Sequence, residues 1–124
     1  MKGTILIIDN EIPILEALQT ILEDFNFTVV TCDNALEGEK IGIEQQFDMI
    51  LLDIRMPEKN GAEVTKSILT KRPESNIFVI TGFPGDQLTG KALENGARGV
   101  IKKPFEIAKI LEFFNSKVKA DGHQ

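Results

Sequence analysis

The chain has 124 residues, 42% of them apolar, with 14 Lys and Arg against 19 Asp and Glu for a net charge of −5. That suits one domain around one core. It also disfavours contact with a phosphate backbone, and no apolar run is long enough to cross a bilayer. The start lacks a signal-peptide pattern, so a cytoplasmic protein is expected, with no direct binding to nucleic acid or membrane.

The first apolar run predicts a strand over Thr4–Asp9 that closes in an aspartate. Ile14, Leu15, Leu18, Ile21, Leu22 and Phe25 then recur at helical spacing, with Pro13 in the first turn. Thr28–Cys32 mixes threonine with apolar residues and suits an edge or a less buried strand. Asn34 is a good N-cap for a helix over Ala35–Gln45. Met49–Asp53 is a third strand, again closing in an aspartate. A third helix runs from about Gly61 to near Arg72, since Pro73 disfavours helix at the residue before it. Ile77–Thr81 is a fourth strand, and Asp86–Glu94 marks the fourth helix, with Gly96 capping the segment that ends in Leu93-Glu94-Asn95. Gly99–Lys102 is a fifth strand, and Glu106–Val118 a last helix with Ile107, Ile110, Leu111 and Phe114 on one stripe. Residues 1–119 are expected to form the domain, and the polar run 120–124 a tail or the start of a linker.

Five β-α units with right-handed crossovers imply an α/β fold: a doubly wound, three-layer, flavodoxin-like (βα)5 sandwich around a five-stranded parallel sheet of order 2-1-3-4-5. The switch point of that order lies between the first and third strands, which carry Asp9 and Asp53. Ligands of such sheets bind there, outside the carboxyl ends of the strands.

Cys32 is the only cysteine and His123 the only histidine. An internal disulfide, cysteine or histidine zinc clusters, and His-dependent nucleophilic sites in the domain body are therefore excluded. Cys32 reads as a buried structural thiol. Asp53 is a metal ligand, a nucleophile, or both: a carboxylate oxygen that attacks a phosphoryl group forms an acyl phosphate. Such a transfer requires charge neutralisation, and Mg²⁺ suits oxygen ligands. Asp9 can hold the ion, Lys103 and the Thr81 hydroxyl can meet phosphoryl oxygens, and Gly82 leaves room for its own N–H. Taken singly, each residue has a plainer explanation: a helix cap for the aspartates, a solvated charge for the lysine, a good strand former for the threonine. Their conjunction at four strand ends favours a site.

The segments Ile7-Ile8-Asp9-Asn10-Glu11, Leu51-Leu52-Asp53-Ile54-Arg55-Met56-Pro57, Asn60-Gly61, Val79-Ile80-Thr81-Gly82 and Lys102-Lys103-Pro104-Phe105 together resemble the receiver domain of two-component response regulators, the CheY-like family, over about residues 3–118. The resemblance implies that Asp53 accepts a phosphoryl group from a phosphohistidine on a sensor histidine kinase or histidine phosphotransfer protein. It further implies that Asp9, the position of Asn10, Asp53 and the Arg55 backbone carbonyl hold Mg²⁺, and that Thr81, Gly82 and Lys103 meet the phosphoryl group. The Lys103–Pro104 peptide is expected to be cis. The output surface would combine the fourth helix, fifth strand and fifth helix, facing a downstream protein, an output domain or a second copy of the chain. Such a domain is a switch and not an enzyme in its own right, though it assists its own phosphorylation and dephosphorylation.

Two positions depart from the family. Asn10 replaces an acid that normally contacts the metal, and Val100 replaces a switch aromatic. These departures motivate an alternative, a degenerate receiver that binds a partner without being phosphorylated. An aspartyl-phosphate hydrolase is disfavoured because Arg55 stands where a second acid is needed. A flavodoxin-like cofactor site is disfavoured by the acidic first loop. Phe83 and Arg55 occupy positions that tune phosphoryl lifetime in the family, and Phe83 is in reach of the site. A neutral amide at position 10 predicts weak Mg²⁺ binding, so Asn10→Asp should bind Mg²⁺ more tightly than the parent in a calorimetric titration; equal affinities would refute this.

Overall fold

The computed structural model describes residues 3–103 and 106–120, with side chains described as far as residue 116. Five strands alternate with five helices: β1 (Gly3–Ile8), α1 (Ile12–Asp24), β2 (Phe27–Cys32), α2 (Ala35–Glu44), β3 (Met49–Asp53), α3 (Gly61–Lys71), β4 (Ile77–Thr81), α4 (Gln87–Glu94), β5 (Gly99–Lys102) and α5 (Ile107–Ala120). All neighbouring strands pair in parallel, in the order β2-β1-β3-β4-β5.

The period-two alternation of the strands divides the core into layers. Ile5, Ile7, Met49, Leu51 and Ile80 face Leu15, Leu18 and Leu22 of α1 and Ile110 and Phe114 of α5. On the other face Leu6, Ile8, Ile50 and Leu52 meet Ala35 of α2 and Val64 and Ile68 of α3. A smaller cluster joins Ile54, Ala62, Val79, Ala92 and Ala97, with Leu88 and Val100 packed against it. β1, β3 and β4 are buried almost throughout, as strands covered on both faces must be. β5 is not: it is an edge strand, and Gly99 and Val100 are only half-buried. β2 forms the other edge, as its threonines suggest.

The expected boundaries hold within about a residue or two. The largest functional difference is at β1, which ends at Ile8 and not at Asp9. The Asp9 N–H still donates to the Cys32 carbonyl at 3.1 Å, but its side chain turns to cap the next residues, its Oδ1 accepting from the Glu11 N–H at 2.9 Å. α2 ends one residue early, because Gln45 is already extended. Asn34 caps α2 by accepting from the Glu37 N–H, and Gly96 takes φ +115° just past α4, a left-handed value that glycine tolerates. Cys32 is buried, and burial pushes its thiol pKa up. Pro104, with the expected cis peptide, and the run 121–124 lie outside the described residues.

α3 starts directly beneath β3. Asn60 and Glu63 form a reciprocal capping box, and the Gly61 N–H donates to the Ile54 carbonyl at 2.8 Å. A Cβ at position 61 would stand 2.6 Å from the Asp53 carbonyl oxygen and 2.8 Å from Ile54 Cα, both backbone atoms. Gly61→Ala is therefore expected to destabilise the fold by about 1–3 kcal/mol, read as a lower urea midpoint at an unchanged slope.

Candidate functional site

The β1–β3 register pairs Ile8 with Leu52, so the next residue of each strand, Asp9 and Asp53, falls at the same sheet edge. β4 pairs Ile80 with Asp53, and β5 pairs Lys102 with Thr81, which carries Thr81 and Lys103 to that edge too. Asp9, Asp53 and Thr81 are all buried, at 0%, 4% and 3% exposure. Asp53 and Thr81, with Asn10, Glu11, Ile54, Arg55, Gly82, Phe83 and Lys103, line an open cleft of about 460 Å³.

Lys103 is the hub. Its Nζ lies 3.5 Å from Asp53 Oδ1, 3.6 Å from Asp9 Oδ2 and 2.7 Å from Glu11 Oε1. Burial and the neighbouring Asp9 charge raise the Asp53 pKa from 3.8 to about 6, with Lys103 opposing them. Asp9 is raised as well, by its burial above all. Burial lowers the Lys103 pKa, but the hydrogen bond to Glu11 and the charges of Asp53 and Asp9 outweigh it and leave the ammonium above its ordinary value.

Thr81 Oγ1 accepts from the Phe83 N–H at 2.9 Å. Phe83 itself is 76% exposed, so it stands at the cleft rim and is not packed down over the site. A Cβ at Gly82 would meet nothing within 4 Å, so in this state the glycine relieves no crowding. Asn10 lines the cleft and is exposed, as Glu11 is. The Arg55 side chain turns away: Nε donates to Asp86 Oδ2 at 2.8 Å and its terminal nitrogen pairs with the same oxygen. Asp86 in turn caps α4 by accepting from the Leu88 N–H, and these bonds hold its carboxyl below the usual range.

Two features were not read from the sequence. Glu11 points at Lys103, and Asp86 ties Arg55 to α4. An aspartate before a helical run signals a cap, but no pattern links it to an arginine 31 residues away.

Asp9, Glu11 and Asp53 each bring a carboxylate oxygen within 4.8 Å of the other two. Asp9 Oδ2 is buried and has no hydrogen-bond partner among the described residues. An anionic, all-oxygen donor set with an unsatisfied buried oxygen fits Mg²⁺.

The raised Asp53 pKa has a defined sign for stability. Below pH 3.8 the carboxyl is protonated in both folded and unfolded chains and costs nothing. As pH rises from there to about 6 the unfolded chain loses its proton first, so folding stability falls through that window and stays lower above it. Without divalent cations, Asp53→Asn should therefore be more stable than the parent at pH 8, by as much as about 3 kcal/mol. The advantage should vanish near pH 4 in urea unfolding.

Comparison with known proteins agrees with this arrangement. Residues 5–115 match the response regulator receiver domain family. The chain is 30% identical over 116 residues to the chemotaxis protein CheY of Listeria monocytogenes, covering 93% of this chain and 98% of that one. It is 31% identical over 106 residues to the transcriptional regulatory protein ZraR of Klebsiella oxytoca, covering 86% of this chain but 24% of the relative. A CheY-like receiver domain protein from Methanospirillum hungatei superposes with a TM-score of 0.84 at 28% identity, covering 94% of each chain. The receiver domain of the sensor histidine kinase PA1611 from Pseudomonas aeruginosa, solved with a magnesium ion coordinated in its active site cleft, shares the fold with a TM-score of 0.83 at 19% identity, covering 92% of this chain and 95% of that one. With the strand order and the acid, hydroxyl and ammonium groups at one sheet edge, these matches place the chain in the response regulator receiver domain family of two-component signal transduction.

Proposed function

We propose that the chain is a phosphoacceptor switch in which Asp53 receives a phosphoryl group from a phosphohistidine on a sensor histidine kinase or a histidine phosphotransfer protein. The observation that carries this reading is the placement of Lys103 Nζ 3.5 Å from Asp53 Oδ1 at the floor of an open cleft. The ammonium keeps the buried carboxylate ionised near neutral pH and stands where it can meet an incoming phosphoryl oxygen.

In the transfer, an Asp53 carboxylate oxygen forms a bond to phosphorus. The donor's N–P bond breaks, and its electron pair returns to the imidazole nitrogen, which takes up a proton. Little covalent help is required, so orientation and neutralisation of charge dominate. Mg²⁺, held by Asp9 and Asp53 with the Arg55 carbonyl and a contribution from position 10 or 11, would supply further neutralisation. Lys103 exchanges part of its carboxylate pairing for a phosphoryl oxygen. Thr81 has its hydroxyl proton free to donate, since Oγ1 is engaged only as an acceptor from Phe83. A shift of Thr81 and Lys103 toward the new anion moves β4, β5 and the elements attached to them, α4 and α5, which form the surface for a downstream protein, an output domain or a second copy. Kinase domains of such relays use ATP, so we place the protein in the cytoplasm.

A phosphorylation-independent binding module is the second reading. It is favoured by the neutral Asn10 and by Val100, which packs against the Ile54 cluster and has no ring to swing.

Intact mass after incubation with a small phosphodonor and Mg²⁺ separates the two. The parent should gain one phosphoryl group and Asp53→Ala none. A folded parent that takes up nothing from the small donor or from a cognate kinase would overturn the switch.

A further inference from the structure

We propose that Glu11 supplies the third carboxylate of the cation site, and that Lys103 occupies the position of the cation's charge until the ion arrives. The inference rests on the reading of the cleft as a Mg²⁺-assisted phosphoacceptor site.

Three observations carry it. Asp9, Glu11 and Asp53 bring one carboxylate oxygen each within 4.8 Å of the others, and Glu11 is an anion where the neighbouring Asn10 offers only a neutral amide. Asp9 Oδ2 is fully buried, has no hydrogen-bond partner among the described residues, and faces the Lys103 ammonium at 3.6 Å, the same cation that meets Glu11 and Asp53. Such an orphaned oxygen is costly unless a ligand satisfies it. The third observation concerns charge. Three carboxylates face one ammonium, an excess of two negative charges that one divalent ion balances.

The local backbone explains how residue 11 reaches the site. The Glu11 N–H folds back onto Asp9 Oδ1 at 2.9 Å, and Glu11 is the N-cap of α1. That turn directs its side chain over the cleft, where Oε1 reaches Lys103 Nζ at 2.7 Å. The contact is half open to water, with the Glu11 side chain 57% exposed, so it breaks at little cost. On ion entry Glu11 leaves the ammonium for the metal, and Lys103 is freed toward the phosphoryl oxygens. The exchange couples cation binding to readiness for phosphoryl transfer through one side chain.

The test is a calorimetric Mg²⁺ titration of four proteins: parent, Glu11→Gln, Lys103→Met, and the double variant. If Glu11 is a ligand, Glu11→Gln weakens Mg²⁺ binding roughly tenfold in the parent and again in the Lys103→Met background. Lys103→Met alone binds Mg²⁺ more tightly, because the competing ammonium is gone. If Glu11 serves only to neutralise Lys103, the Glu11→Gln effect disappears once the lysine is removed, and the proposal fails. A parent that neither binds Mg²⁺ nor gains mass from a phosphodonor overturns the phosphoacceptor reading together with this one. A parent that does both, with Glu11→Gln unaltered in affinity, overturns the role of Glu11 alone. Glu11 is exposed and its backbone makes the capping contacts, so the folded state of each variant is checked by its thermal melt.

Discussion

The Lys103 ammonium holds together two buried carboxylates that would otherwise repel one another. Asp9 and Asp53 end up adjacent because β1 and β3 run parallel in register and terminate together. Burial alone would drive both toward the protonated form, and the Asp9 charge pushes Asp53 further that way. Lys103 arrives from β5, two strands beyond β3, and its long stem spans that distance to offset the repulsion. The site is therefore assembled from both halves of the chain, and it cannot exist before the sheet is complete.

This balance is deliberately incomplete in a physical sense. One ammonium does not neutralise three carboxylates, and Asp9 Oδ2 remains without a hydrogen bond. A hydrophobic isostere in place of such a buried ionic cluster would often be more stable. The stability given up here is concentrated at the open edge of the sheet, where an external cation and a phosphoryl group can recover it.

The loop after β3 links Asp53 to the rest of the molecule. Arg55 pairs with Asp86, which caps α4, and Lys59 pairs with Glu39 of α2 and Ser67 of α3. The Arg55 side chain is 64% exposed, so this ion pair contributes little to global stability. Its importance is positional: two residues from Asp53, it joins this loop directly to the start of α4. Val100 packs against the small Ile54 cluster, where an aliphatic side chain replaces the ring.

The sequence by itself determined the elements, their order, and the four strand ends that carry Asp9, Asp53, Thr81 and Lys103. Apolar runs, caps and prolines are local signals, and parallel β-α units leave few topologies. The resemblance to receivers likewise rests on residues readable in line. What only the tertiary structure decided concerns direction and long-range pairing. That β1 stops at Ile8 follows from Asp9 turning to cap Glu11. That Phe83 stands exposed, that the Arg55 guanidinium pairs with Asp86, and that Glu11 reaches Lys103 depend on rotamers and loop paths set by distant partners. Side-chain direction in a turn is not periodic, and an ion pair 92 residues apart in the chain, as between Glu11 and Lys103, leaves no local pattern to read.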